Sequence, residues 1–500
     1  MTDYQRLNEM FRQSCLEESL AFHTALKDVQ KVQENKLLRI VQNNQKTEIG
    51  KKFNFGKIKS VADFRGAVPV LSYEDYQESI IKIMDGKQRV LTSEPVLLLE
   101  PTSGSTSPSK FIPYTEKLKR EFQQGIFPWL YDLFTNKPSV GNGSFYWSIT
   151  PATHKEERTS GGIHIGFGDD GIYFTPEQQR LISQLSAVPL DVAKIQDVAE
   201  FKKQTLSHLI RNKDLSFISV WNPTFLSLLL RPIDKPQEVW PNLSLISAWA
   251  DGNASNYIDE IKRLFPNVEI QPKGLIATEG FVSLPLMGHE GSALSVNSHF
   301  FEFRDLERSS EIRLAHQVEK GKEYEVILTT GGGLYRYNLE DVVKVVGFKD
   351  QCPLVKFVGR NSEVSDLFGE KLNDYHVSKA TAESLRKSSL APSFFMIAPE
   401  ALGDTTAYVL FVESDKEFDT TSVVEDLDSR LQDNYHYKYC RKLGQLGRPK
   451  VFLIDRNPER SASDIYLEEN NAKGKKIGNV KPAILSSQFG WSKKFDGRFL

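Results

Sequence analysis

The chain has 500 residues, with 63 basic against 65 acidic side chains and a formal net charge of -2. Such near-neutrality provides no field to attract nucleic acid or an acidic membrane surface, which excludes polyanion binding as the main activity. The length calls for two or more domains, or one large domain with a lid.

Three cysteines, Cys15, Cys352 and Cys440, are scattered without a C-x-x-C pair, so idle thiols in a reducing cytosol are expected rather than zinc or a redox couple. The first fifteen residues, MTDYQRLNEMFRQSC, lack a basic start followed by an apolar run, and no secretory signal is expected. The longest apolar stretches, such as Phe225 to Leu230, are far shorter than a membrane span. Together these features predict a soluble cytoplasmic protein with no membrane or nucleic-acid partner.

Residues 1 to about 50 read as helix, with Leu16, Leu20, Phe22, Leu26 and Val29, then Leu37, Leu38, Ile40 and Val41, near helical spacing. Ala67 to Leu71 reads as strand-like and leads, through Ser72-Tyr73-Glu74-Asp75, into a capped helix. Next comes the apolar strand signal Val96 to Leu99 and, directly after it, Thr102 to Lys110, TSGSTSPSK. One glycine, several hydroxyls and a terminal lysine suit a nucleotide phosphate: Gly104 admits the backbone to an oxyanion, hydroxyls and N–H groups donate, and Lys110 supplies a point charge. This is not the ordinary P-loop, which needs a glycine where Ser109 stands and a hydroxyl where Phe111 stands.

A helix is predicted over Thr115 to Leu133 and a buried strand over Ser144 to Thr150. Gly166 to Gly171 spells G-x-G-x-x-G, but two aspartates would face a pyrophosphate and Ile172-Tyr173-Phe174 reads as extended, so no dinucleotide site is assigned. Residues 177 to 212 read as helices. Strands at Phe217 to Trp221, Leu245 to Trp249 and Val268 to Pro272, with helices between them, predict a parallel sheet. Thr278-Glu279, closing a strand at Gly280, would place a hydroxyl and a carboxylate at a sheet's C-terminal edge, where one acid and phosphate oxygens can hold magnesium. Further on, three strand pieces are expected, Tyr324 to Leu328, Leu334 to Asn338 and Val342 to Val346. Asp341, in the acidic turn before the last, could accept two hydroxyls of a ribose.

In order and spacing, TSGSTSPSK with Phe111 to Thr115, then Ala277-Thr278-Glu279, then Gly333-Leu334-Tyr335-Arg336-Tyr337 and Asp341-Val342-Val343 resemble the adenylate-forming superfamily. The resemblance is closer to its acyl-acid amido synthetase branch, the auxin-responsive Gretchen Hagen proteins of plants and their microbial relatives. Further landmarks are Thr47 to Gly50, Val68-Pro69-Val70, Phe301-Glu302-Phe303, Phe357 to Arg360 and Gly369 to Leu372.

The resemblance implies an α/β fold, with a large N-terminal domain of β-sheets wrapped by helices over residues 1–362 and a smaller, mobile C-terminal α/β lid over 363–500. It implies that Thr102, Ser103, Gly104, Ser105, Thr106 and Ser107 cradle ATP with Lys110, that Thr278 and Glu279 serve nucleotide and Mg2+, and that Asp341 holds the ribose. Arg360 would contact the nucleotide, and Lys481, in Gly478 to Pro482, would swing in during adenylation. The implied reaction joins a small carboxylic acid to AMP, expels pyrophosphate and passes the acyl group to an amino acid. Two other readings stay open: a thiol acceptor such as coenzyme A, or a non-catalytic protein that binds nucleotide or a small acid.

The chain departs from the family pattern at Leu275, where an aromatic residue is usual, at Asn338 and Glu340, where arginine and glycine are usual, and at Ser107-Pro108. His299 and His164 are candidate bases for the amine step. Trp221 to Leu230 and Phe281 to Met287 are candidate walls of the acid pocket.

Overall fold

The computed structural model describes residues 2–102, 110–148, 157–167, 170–195, 197–308, 310–361, 364–403, 405–457, 459–472, 480 and 484–500. It divides into two compact units, Met1–Asp251 with Glu260–Phe357, and Gly252–Asp259 with Val358–Leu500.

The first unit opens with helices Asp3–Ser14, Leu16–Ala25 and Val29–Asn44, whose buried faces carry Phe11, Phe22, Leu37, Ile40 and Val41. Thr2 caps the first by a capping box with Gln5, and Asp28 caps the third through the Lys31 N–H. These helices share one core with three sheets and the long helix Glu116–Asn136.

Strands Ser144–Trp147, Leu215–Ser219, Leu245–Ala248 and Glu269–Pro272 form the expected parallel sheet in sequential order. Helices cross between successive strands, and both faces are covered, which is why these strands read as apolar runs rather than alternating ones. A second sheet is built on an antiparallel hairpin, Leu98–Pro101 with Phe111–Tyr114. The third has seven strands and includes Phe300–Asp305, Glu323–Thr329, Tyr337–Lys349 and Cys352–Arg360.

Several local expectations are corrected. Phe111–Tyr114 is a strand, so the Thr102 to Lys110 segment joins two paired strands instead of a strand and a helix. Asp170–Tyr173 is a 3-10 turn, not an extended run. Ala67 ends the helix Val61–Ala67, and of the following residues only Leu71 makes a strand bridge, to Tyr337. The acidic turn expected before Val342 is part of a single strand, Tyr337–Lys349, whose register against Glu323–Thr329 shifts between Glu325 and Ile327. At that shift Glu340 has φ 64°, the left-handed conformation that favours glycine and explains why the family pattern has glycine there. A tighter strand than the sequence suggests thereby delivers Asp341, fully buried, beside the bulge.

The second unit has a four-stranded sheet, Phe394–Leu402, Thr405–Glu413, Lys450–Ile454 and Gly497–Phe499. The two long strands are buried on both faces with a period of two: Phe395, Ile397, Tyr408, Leu410 and Val412 enter one core, Phe394, Met396, Ala398, Val409 and Phe411 the other. Cys15, Cys352 and Cys440 are free and buried, and burial pushes the Cys15 thiol up to about 12, as idle thiols require. Among the described residues no helix is long and apolar enough to cross a membrane.

Replacing Glu340 by glycine removes the left-handed strain and is expected to stabilise the first unit by roughly 0.5–1 kcal/mol. A higher urea midpoint for that unit checks this, and a lower midpoint would contradict it.

Candidate active site

Three chain segments meet around Tyr114, at the end of the hairpin that carries the hydroxyl-rich loop. The Tyr114 hydroxyl donates to the Thr278 carbonyl at 2.7 Å and lies 3.2 Å from the Tyr173 hydroxyl, while its ring packs edge-on against Phe167. Burial, first of all, and then the neighbouring Tyr173, Glu100 and Glu279 hold this phenol well above the ordinary tyrosine value. It is therefore a fixed donor, and it ties the loop's hairpin to the segment that bears Glu279.

The loop is closed at its base: the Thr102 N–H donates to the Lys110 carbonyl at 2.8 Å. Lys110 is half-buried, with its ammonium 5.4 Å from the centre of the Tyr73 ring. The Tyr73 hydroxyl accepts the Phe111 N–H at 2.7 Å. Burial raises the Tyr73 phenol, and the carboxylates of Glu279 and Glu74 push in the same direction. Lys110 and Glu279 therefore share Tyr73 as a neighbour. Ser103, Gly104, Ser105, Thr106 and Ser107 lie outside the described residues, as does Lys481.

Thr278 and Glu279 do not sit at the C-terminal edge of a parallel strand. Ala277 pairs with Gly280 and Ile276 with Phe281, which makes Thr278-Glu279 the two-residue tip of a tight hairpin. Glu279 is 4% exposed, and the Tyr337 hydroxyl donates to its Oε1 at 3.5 Å. Tyr337 begins the strand that contains Asp341, four residues on, so the carboxylate and the ribose candidate are joined through one strand. Arg360 ends the strand Cys352–Arg360, and its backbone belongs to the second unit. Leu275 is a core residue whose N–H donates to Ser283 Oγ.

The residues that position this hairpin were not legible as such. His299, expected as a possible base, is wholly buried with both ring nitrogens engaged. Its Nε2 accepts the Phe281 N–H at 3.0 Å, which leaves the ring proton on Nδ1, 3.0 Å from Glu121 Oε2. A neutral histidine in this arrangement is a strut, not a base. Glu121 also accepts the Gly331 N–H at 2.8 Å and lies 3.5 Å from the Lys36 ammonium. Burial acts to raise the Glu121 carboxyl, but Lys36, His299 and Gly331 outweigh it and keep it ionised.

The spacing is close enough that side chains would not fit. A Cβ on Gly280 would stand 2.9 Å from His299 Nε2, and one on Gly331 would stand 2.7 Å from Glu121 Oε1. His164, the other expected base, is half-exposed on the short strand His164–Ile165 and contacts the Arg158 guanidinium. Of the expected acid-pocket walls, Phe281, Val282 and Leu284 belong to the core, and Phe225, Leu226, Leu229 and Leu230 are buried.

Burial lowers the His299 pKa, with Glu121 opposing that shift. The unfolded ring takes up a proton below its ordinary value of 6.5 while the folded ring does not, so stability from this group is complete above that value and is lost as pH falls. His299→Gln should therefore flatten the stability loss seen between about pH 7.5 and about pH 5.5. Urea unfolding of both proteins across that range checks this, and parallel pH curves would contradict it.

Three family profiles match the chain: the GH3 family N-terminal domain over residues 20–236, the central domain over 292–360 and the C-terminal domain over 375–488. A jasmonoyl–L-amino acid synthetase of Nicotiana attenuata, JAR6, is 22% identical, with 89% of this chain and 90% of the relative aligned. The indole-3-acetic acid-amido synthetase GH3.2 of Arabidopsis thaliana is 22% identical over 71% of this chain and 78% of the relative. Among solved structures, the AtGH3.15 acyl acid amido synthetase in complex with 2,4-DB superposes with a TM-score of 0.78 at 18% identity, covering 97% of this chain and 95% of that one. A 2-hydroxyisobutyryl-CoA ligase in its postadenylation state reaches 0.54 at 12% identity, over 91% and 88%. The adenylate-forming fold and the profile matches across most of its length establish that this chain belongs to the GH3 family.

Proposed function

We propose that the protein is an ATP-dependent acyl-acid amido synthetase, which adenylates a carboxylic acid, releases pyrophosphate and transfers the acyl group to the amine of an amino acid. The observation that supports this reading is the hydrogen bond from the Tyr114 hydroxyl to the Thr278 carbonyl, which ties the strand pair on either side of Thr102 to Lys110 to the hairpin tip that bears Glu279. The relatives, one named as a jasmonoyl–L-amino acid synthetase and one as an indole-3-acetic acid-amido synthetase, support the choice of an amine over a thiol as acceptor.

A carboxylate resists amine attack because its oxygen leaves poorly, and attachment to the α-phosphate of ATP makes that oxygen part of a good leaving group. In the first half-reaction negative charge grows on phosphate oxygens and departs with pyrophosphate. Thr102 and the serines and threonines up to Ser107 donate to those oxygens, and Lys110 places its ammonium at the loop's end, where Tyr73 limits its freedom. This contribution is positional and electrostatic. Asp341 accepts the ribose hydroxyls, and Arg360 contacts the nucleotide.

Among the described residues no cluster of three or more His, Cys, Asp or Glu side chains could cage a metal alone. A single carboxylate at a hairpin tip instead fits magnesium that arrives with its nucleotide and keeps phosphate and water ligands, with Glu279 as the protein ligand. Bound there, magnesium would neutralise developing phosphate charge. Residues 363–500 act as the lid, bringing Lys481 to the first half-reaction. His299 is committed to its two partners, so the amine's proton leaves by another route.

Lys110→Ala and Glu279→Ala should each slow amide formation at least about a hundredfold, with folding checked by circular dichroism. Products identified by mass from a panel of acids and amino acids read this out. Rates like the wild type in both variants would contradict the assignment.

A further inference from the structure

A second recess lies in the first unit, away from the groups just described. It is a cavity of about 620 Å³ between helix Val198–Arg211 and the end of helix Pro223–Leu230. The first helix ends four residues before strand Leu215–Ser219 begins, whereas the second starts just after that strand ends and runs back along it. The recess is lined by the first helix from Lys202 to Arg211 and by the end of the second helix with the two residues after it.

The lining has two kinds of surface. Leu206, Ile210, Leu228, Leu229 and Pro232 form an apolar floor, and Lys202, Lys203, Arg211 and Arg231 surround it, with Ser207 the remaining lining residue. Among the described residues no acidic side chain lines it. Leu206 and Ile210 are one helical turn apart on a single face, and Ile210 is 38% exposed, an apolar side chain held at the mouth instead of buried. Of the rim cations, Lys203 faces Glu200 at 3.9 Å across a solvent-exposed gap, a pairing that contributes little. The volume is of the size that holds small organic ligands, about 300–1,000 Å³. Lys202 and Arg211 stand on the same helix as Leu206 and Ile210, so cationic and apolar groups share one wall of the recess.

We propose that this recess binds a single-chain amphiphilic carboxylate, with the hydrocarbon on the leucine and isoleucine floor and the carboxylate among the rim cations. An alkyl chain gains by leaving water on the floor, and the anion gains from the surrounding cations, which an uncharged chain of the same length would not. A bilayer would need a protruding or flat apolar face, whereas this floor is recessed between two helices. The site is separate from the nucleotide groups, so its occupation does not depend on the proposed reaction.

Dodecanoate, below its micelle concentration, is the probe. Titration calorimetry on the full-length protein should show saturable binding that is weakened at least about tenfold by Lys202→Glu and by Arg211→Glu, and dodecanol should bind more weakly than dodecanoate. A dodecanoate carrying a diazirine at its chain end locates the site: label on peptides spanning 202–211 or 228–232, lost in Ile210→Glu, is the expected result. Absence of saturable binding, label confined to other peptides, indifference to both charge reversals, or association only with anionic vesicles would each overturn the proposal.

Discussion

One buried carboxylate holds the site's parts together. Glu121, on the long helix Glu116–Asn136, is 2% exposed and meets three partners from three other segments: Lys36, His299 and the Gly331 N–H. Burying a charge is costly unless it is paired and hydrogen-bonded, and here every partner favours the ionised form. The consequence is geometric. His299 passes the constraint to Phe281 and so to the hairpin that ends in Glu279. Gly331 passes it to the segment that runs through Tyr335 and Arg336 into the strand with Tyr337 and Asp341.

That second branch is fixed at several further points. The Tyr76 hydroxyl donates to the Tyr335 carbonyl and accepts the Tyr335 N–H, both at 2.7 Å. Arg336 is buried against Glu302 through two nitrogens, and Arg65 donates to the same carboxylate. Leu71 bridges to the strand by exchanging hydrogen bonds with Arg336 and Asn338. The sequence landmarks near residues 68–75, 302 and 333–341 thus belong to one contact network. Their spacing along the chain reflects packing against a common strand as much as chemistry.

Much of the framework could be read from residues alone. Apolar runs separated by helical periodicity foretold the parallel sheet, and the hydroxyl-rich stretch after an apolar strand marked the segment proposed to meet phosphate groups. What escaped reading depended on contacts distant in sequence. Nothing local marks Phe111–Tyr114 as a strand, because its four residues pair with Leu98–Pro101 across the loop. Nothing local distinguishes Thr278-Glu279 as a hairpin tip, because each flanking strand has only two residues. His299 looked like a base because its partners, Glu121 and Phe281, are 178 and 18 residues away. The departure at Glu340 is legible only with its φ in hand: the residue adopts a backbone meant for glycine and keeps the bulge in place.

The most direct measurement is ATP–pyrophosphate exchange by the full-length protein with magnesium, screened over aromatic, aliphatic and hydroxy acids. The account predicts exchange that depends on one class of acid and on magnesium, because the proposed site uses the hydroxyl-rich segment, Lys110 and Glu279 to stabilise the phosphate charge. Saturable ATP binding without exchange for any acid would contradict it, and would leave a nucleotide-binding scaffold that does not activate carboxylates.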